Sequence, residues 1–284
     1  MTIFIKRNLK VFFRDRAAVL FSLLAVFIII GLYALFLGDV WMSELPAEGG
    51  RFLMDSWLIG GLLAVTSVTT TLGAFGIMVE DRARKIAKDF YAAPIKRRSI
   101  TLGYLFSVFI IGLIMSLVAL VLSEGYILLN GGELLGAVDA LKVLGVILLA
   151  TLSSTAMMGW IVSFFKSLNG FTAVSTLVGT LVGFVAGIYL PVGQLPEAVQ
   201  TIVKVFPVSH AAALLRQIML RSPAEAVFAG APAEAVGSFN EMMGVSFRLG
   251  GFTVTPLLSV LFLAATAVLF YGLAMAGMAR KKAL

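Results

Sequence analysis

WLIGGLLAVTSVTTTLGAFGIMV, Trp57 to Val79, runs for 23 residues without a charged side chain, and EDRARKIAKDFYAAPIKRRS, Glu80 to Ser99, follows it at once. A helix rises 1.5 Å per residue, so about 20 apolar residues cross a hydrocarbon core about 30 Å thick. The first stretch therefore reads as a membrane-spanning helix. The second, dense in lysine and arginine, reads as the loop on the side where such residues collect.

Five further apolar blocks have the same character: Ala17 to Leu37, Ser99 to Leu122, Val143 to Phe165, Leu168 to Leu190, and Pro256 to Met278. Of the 284 residues, 60% are apolar and 13% charged, and the mean hydropathy is +1.02. So much apolar surface calls for lipid as its solvent. The expectation is an all-α polytopic membrane protein with six transmembrane helices in one domain, 1–284. The first block, at 21 residues, exceeds a secretory h-region of about 7 to 15 and is read as retained. Trp41, Trp57 and Tyr104 lie near the expected interfaces, where amphipathic rings are favoured.

Charge sets the orientation. The segments placed inside hold 16 of the 22 basic residues, and the opposite segments hold 6 basic against 11 acidic ones. Both termini of this multi-pass protein are expected in the cytoplasm. The net charge of +7 does not indicate nucleic acid, because the basic residues lie in short loops and not in one patch beside a soluble core.

Residues 1–16 are amphipathic. Ile5, Leu9, Phe12 and Phe13 follow helical spacing, and Lys6, Arg7, Lys10 and Arg14 take the other side. This suits a helix in the headgroup plane; a frayed basic tail is the plainer alternative. Residues 191–255 form an extracytoplasmic segment. Within it Val199 to Leu220 is apolar but interrupted by Lys204, Pro207, His210 and Arg216, so one or two short outer helices are expected, dipping into the leaflet or lying on it. Ser222 to Gly251, rich in Ala, Gly and Glu, reads as an exposed excursion.

The chemistry is sparse. The expected spans carry no ionisable residue well away from an end, and the single histidine, His210, lies outside them. A serine nucleophile would lack its base, and no carboxylate–metal constellation is visible, so neither catalysis nor a bound metal or cofactor is expected. The same sparseness disfavours a proton- or sodium-coupled transporter. No G-x-x-x-x-G-K-[ST] phosphate loop exists either, so active transport would require hydrolysis in a separate subunit.

Residues 80–98 are the best place for that subunit to grip. Glu80 with Arg84, Asp81 with Lys85, and Lys85 with Asp89 are i, i+4 pairs favouring a short helix; Ile86 and Phe90 share its apolar face, and Pro94 should end it. A charged helix with Phe90 and Tyr91 as an exposed aromatic tip can transmit force from a soluble motor. A solvated basic loop explains the charges but not the two rings.

These residues bear a resemblance. Glu80, Asp81 and Arg82, then Asp89 to Pro94, a basic run and Gly103, resemble the coupling-helix stretch of the type-2 ABC exporter permease family. That family often has Gly-Thr where this chain has Lys85-Ile86. GIYLPVGQLPEAVQ, Gly187 to Gln200, and FPVSHAAALLRQ, Phe206 to Gln217, are similar to the family's outer stretch, where a Leu-Pro starts a short helix and Pro-x-x-His/Tyr leads to an arginine.

The resemblance implies a transmembrane permease subunit of an ATP-driven exporter for an amphipathic drug, lipid or peptide, of the kind that confers multidrug resistance. Its implied partners are two ABC ATPase subunits holding ATP and Mg, a second or related permease, and membrane lipids. Residues 1–16 would be the interfacial elbow, and Glu80, Asp81, Arg82, Arg84, Ile86, Asp89, Phe90, Tyr91 and Pro94 the coupling residues. Pro191, Pro196, Pro207 and His210 would mark an outer gate. Thr66, Ser67, Thr69, Thr70 and Thr71 suit either a mildly polar pathway or close packing. The alternative is a self-sufficient channel or secondary transporter for a small solute or ion.

Overall fold

A computed structural model describes residues 2–33, 49–249 and 251–280. Thirteen α-helices lie among them, with one short hairpin, so the all-α expectation holds. Among the described residues five helices are long and apolar enough to cross a membrane. They are α4 (Gly50–Ala83), α6 (Arg97–Leu129), α7 (Ala137–Ser163), α8 (Leu168–Val185) and the C-terminal α13 (Pro256–Arg280), whose crossing stretch is Pro256–Gly277.

The first expected span is broken. After α1 (Thr2–Arg14), Asp15 caps α2 (Arg16–Ser22) by accepting from the Ala18 amide at 3.1 Å, and α3 (Leu24–Leu32) starts after an interruption at Leu23. At that break the Leu23 amide turns to the Leu20 carbonyl and Ser22 Oγ donates to the Val19 carbonyl. The remainder of the expected span, to Leu37, lies outside the described residues, as do Trp41, Lys281 and Lys282.

Two helices outrun the expected spans. The uncharged run of α4 is bounded by Asp55 and Glu80, yet the helix continues past both ends, where Asp55 and Asp81 are buried by neighbouring helices. At 34 residues α4 is about 51 Å long. Similarly, α6 continues past Glu124 to Leu129. In contrast α8 stops five residues early. Gly187 takes the left-handed conformation (φ 64°), and the Ile188 amide reaches back to the Gly183 carbonyl at 2.9 Å, closing the helix.

The outer stretch holds α9 (Glu197–Lys204) and α10 (Pro207–Met219), which meet at 82°. Pro207 supplies no N–H and opens α10 at its first position. Beyond them come α11 (Arg221–Val227), α12 (Ala233–Met242) and an antiparallel pair, β1 (Arg248–Leu249) with β2 (Phe252–Thr253).

The centre of the molecule is α4, packed by α6, α7, α8 and α10. Its apolar window is 83% buried, against 28% for α13 and 11% for α8, so α8 and α13 are the bare outer helices. Leu177, Leu181, Val268 and Leu269 stand exposed on them. Surface of that kind is suited to lipid or to another chain.

Candidate functional site

The last turn of α4 is knotted to two other helices through one carboxylate. Asp81 is 3% exposed and accepts from Arg7 Nη1 and Nη2 at 2.5 and 2.8 Å and from the Tyr104 hydroxyl at 2.7 Å. Arg7 comes from α1 and Tyr104 from α6. The hydrogen bond to Asp81 raises the Arg7 pKa above the ordinary arginine value, so the guanidinium stays charged. This overturns the expected pairing of Asp81 with Lys85, and it turns Arg7 away from the purely polar face assigned to it.

Aromatic rings complete the knot. Phe4 stands edge-on to Tyr104 at 4.8 Å and to Phe90 at 5.0 Å, and the Arg7 guanidinium lies 5.4 Å from the centre of the Phe90 ring. Gly103 makes room for it: a Cβ there would meet Phe4 Cδ1 at 2.6 Å. On the next turns of α1, buried Asn8 donates to Ser107 Oγ at 3.1 Å, and Phe12 is 3% exposed. The inward stripe is therefore Phe4, Asn8 and Phe12. Ile5 and Leu9 flank it half-buried, while Phe13 is exposed. An asparagine in the middle of the stripe hid it from a hydrophobic pattern.

Residues 80–98 are not one helix. Glu80, Asp81 and Arg82 belong to α4, α5 covers Ile86–Ala92, and Arg97 and Arg98 open α6. Lys85 separates the first two in the left-handed conformation, φ 64°. That geometry, which no sequence pairing foresaw, also removes Lys85 from helical register with Asp89. Glu80 and Arg84 do pair, at 2.6 Å on the surface. Ala93 is extended ahead of Pro94, where the helix stops as expected.

Phe90 is not an exposed tip. It is half-buried against Phe4, and Ile86 is half-buried beside buried Ala87. Tyr91 follows Phe90 in α5. The free face carries Lys88 and Asp89, with Ile95 exposed just beyond. A short helix is thus braced on one side and open on the other, at the end of the most buried span.

At the far end of α4 a second arrangement binds the outer helices. Arg216 of α10 is 1% exposed; its Nε donates to the Trp57 carbonyl at 3.2 Å and Nη2 to the Gly187 carbonyl at 3.1 Å. The guanidinium lies 4.5 Å from the Trp57 ring centre, and Trp57 Nε1 donates to the Met243 carbonyl at 2.7 Å. Among the described residues no carboxylate pairs with it. A Cβ on Gly60 would meet the Arg216 backbone nitrogen at 2.9 Å, and one on Gly61 would meet Arg216 Nη2 at 2.7 Å. Only the two glycines let α10 lie so close.

The sequence pattern of the ABC-2 type transporter family matches residues 1–220. The chain belongs to that family. A search of the curated proteins finds no match. An ABC-2 type chain is the permease component of a type-2 ABC transporter, a multi-pass membrane subunit and not the ATPase, and membership implies work with ABC ATPase partners. The match takes in the Asp81 knot, α5 and Arg216, and stops before α11.

The other candidate residues of this ABC-2 chain fall as follows. Thr66, Ser67, Thr70 and Thr71 are at most 1% exposed, and each hydroxyl donates to a carbonyl of its own helix, Thr70 to Thr66 at 2.6 Å; Ser67 also meets Ser154 Oγ at 3.0 Å on α7. They sit in the chain's own core. His210 is buried, its Nδ1 3.0 Å from Ser259 Oγ of α13 and its Nε2 3.0 Å from the Lys204 carbonyl, so it braces the α9–α10 bend. Pro191 is buried after α8, and exposed Pro196 precedes α9.

Asp55 is a further site missed by the sequence reading. It is 1% exposed within α4, with the Tyr126 hydroxyl at 3.5 Å and Arg51 Nε at 3.9 Å. Among the described residues no group of three or more His, Cys, Asp or Glu is placed to hold a metal.

Proposed function

We propose that this chain is the membrane half of an ATP-driven exporter and that α5 is its contact with the ATPase. The observation carrying the reading is the form of α5: a short helix whose inner face is held to α1 and α6 through Phe90, Phe4 and Tyr104, and whose outer face is open. A push on such a helix reaches α4 through the Asp81 knot and is not absorbed by a loose loop. Two ATPase subunits holding ATP and Mg would act on two permeases, identical or related. The α5 end and both termini would then lie in the cytoplasm, in keeping with the basic residues around it.

The solute best matched to a largely uncharged interior is an amphipathic drug, lipid or peptide moving outward. Co-reconstituting the chain with the ATPase that co-purifies with it tests the reading: ATP-dependent uphill efflux should need both. Uphill ATP-driven pumping by the chain alone would sink it.

One observation favours the alternative. Asp55 is a carboxylate buried inside a candidate span, where an ionisable group commonly marks an ion or proton path. A self-sufficient secondary transporter would move solute down an imposed proton or sodium gradient with no ATPase present, and Asp55→Asn would abolish that movement.

A further inference from the structure

At the end of α4 away from α5, a cleft of ≈ 290 Å³ opens between α4, the α6–α7 connection, and α10 with α11. Phe52, Leu134 and Met219 give it apolar walls, and its polar lining is Ser56, Glu133, Asp139 and Ser222. We propose that this cleft is a binding site for an organic ammonium ion carried on a small apolar body. The inference does not depend on which solute is moved or on what drives it.

The lining contains two carboxylates and no basic side chain. Asp139 is already matched, with Lys142 Nζ at 2.6 Å and Arg221 Nη1 at 3.8 Å, and it also sits in the first turn of α7, where a carboxylate offsets the helix dipole. Glu133 has no ion pair among the described residues, so it brings one uncompensated negative charge to the wall. Deeper in the cleft, Ser56 is 1% exposed and its hydroxyl makes no hydrogen bond among the described residues. A hydroxyl on the wall of the cleft with no protein partner can hydrogen-bond a ligand there.

Those facts select the ligand's chemistry. An ammonium group can donate to the Glu133 carboxylate and to Ser56 Oγ while its apolar body covers Phe52, Leu134 and Met219. An alcohol can satisfy Ser56 but leaves Glu133 unmatched. An anion meets the uncompensated Glu133 carboxylate, of its own sign.

The test uses the purified full chain in lipid nanodiscs with 4-phenylbutylamine as probe, and 4-phenylbutan-1-ol and 4-phenylbutyrate as comparators, titrated calorimetrically. The amine should bind about two- to fivefold tighter than the alcohol, the gain expected of one exposed ion pair, and the acid weakest of the three. Glu133 is exposed, so Glu133→Gln leaves packing intact and should lower amine affinity to that of the alcohol. Ser222→Phe, also at an exposed position, should fill the cleft and weaken amine and alcohol together. Equal binding of amine and alcohol by the unaltered chain, or an amine preference that survives Glu133→Gln, overturns the proposal.

Discussion

Arg7 grips Asp81 with both terminal nitrogens, although 74 residues separate them in sequence. The contact fastens the N-terminal helix to the last turn of the central one. Its guanidinium is about one-third exposed and its carboxylate nearly buried, so the pair is neither a surface bridge nor a dry one. Removing Arg7 leaves Asp81 buried with Tyr104 as its one hydrogen-bond partner among the described residues, a loss of about 2–3 kcal/mol for a charge-assisted partner. Arg7→Ala and Asp81→Asn should each lower thermal stability in detergent, and the double variant should lose less than the two losses summed. Additive losses would show that the two do not act together. Because the Arg7 pKa is raised on folding, its contribution is fully present below the ordinary arginine pKa and is lost only above the raised one.

Lys85 should be replaceable to advantage. A non-glycine residue at φ 64° carries strain of about 1 kcal/mol that glycine does not. Lys85→Gly should raise the melting temperature of the purified chain, and Lys85→Val should lower it. The reverse order would mean that the α4–α5 break is not left-handed in solution.

Phe90 and the Lys88–Asp89 face should separate in their effects. Phe90→Ala removes the ring against Phe4 and should destabilise the folded chain by about 2–3 kcal/mol, read by thermal unfolding. Reversing both exposed charges, Lys88→Glu with Asp89→Lys, should leave unfolding unchanged and reduce ATPase co-purification severalfold. Equal capture by that variant would remove the outer face of α5 from the contact.

Gly61 and Arg216 should fail together. Gly61→Ala places a Cβ 2.7 Å from Arg216 Nη2 and from Ile188 Cγ1, where the guanidinium must leave its carbonyls or the helices must part. A loss of about 2–4 kcal/mol is expected, as for overpacking plus a buried unsatisfied group. Arg216→Lys should not substitute, because an ammonium is compact and lacks the planar fork that reaches both the Trp57 and Gly187 carbonyls. Unfolding in detergent measures both variants, and wild-type stability in either would contradict the staple.

Much of the fold was legible because the apolar blocks are long. Val143 to Phe165 and Pro256 to Met278 fall largely inside α7 and α13, and the interruptions at Lys204 and Pro207 match the bend between α9 and α10. What escaped the reading were the places where tertiary burial outweighs local polarity. Asp55 and Asp81 look like helix ends in a hydropathy scan, but neighbouring helices enclose them and the helix continues. The i, i+4 charge pairs around Lys85 assumed one continuous helix, whereas the backbone breaks there. Phe90 seemed a surface ring because nothing in the linear order places Phe4 beside it.

The Arg216 staple bears on how the chain is made. Its two carbonyl acceptors come from Trp57 and Gly187, both synthesised before the arginine itself. A cation enclosed without a carboxylate is costly while its acceptors are missing. Emergence in this order means that the guanidinium arrives after the groups that receive it, and the Met243 carbonyl that clasps the Trp57 indole from the far side follows later still.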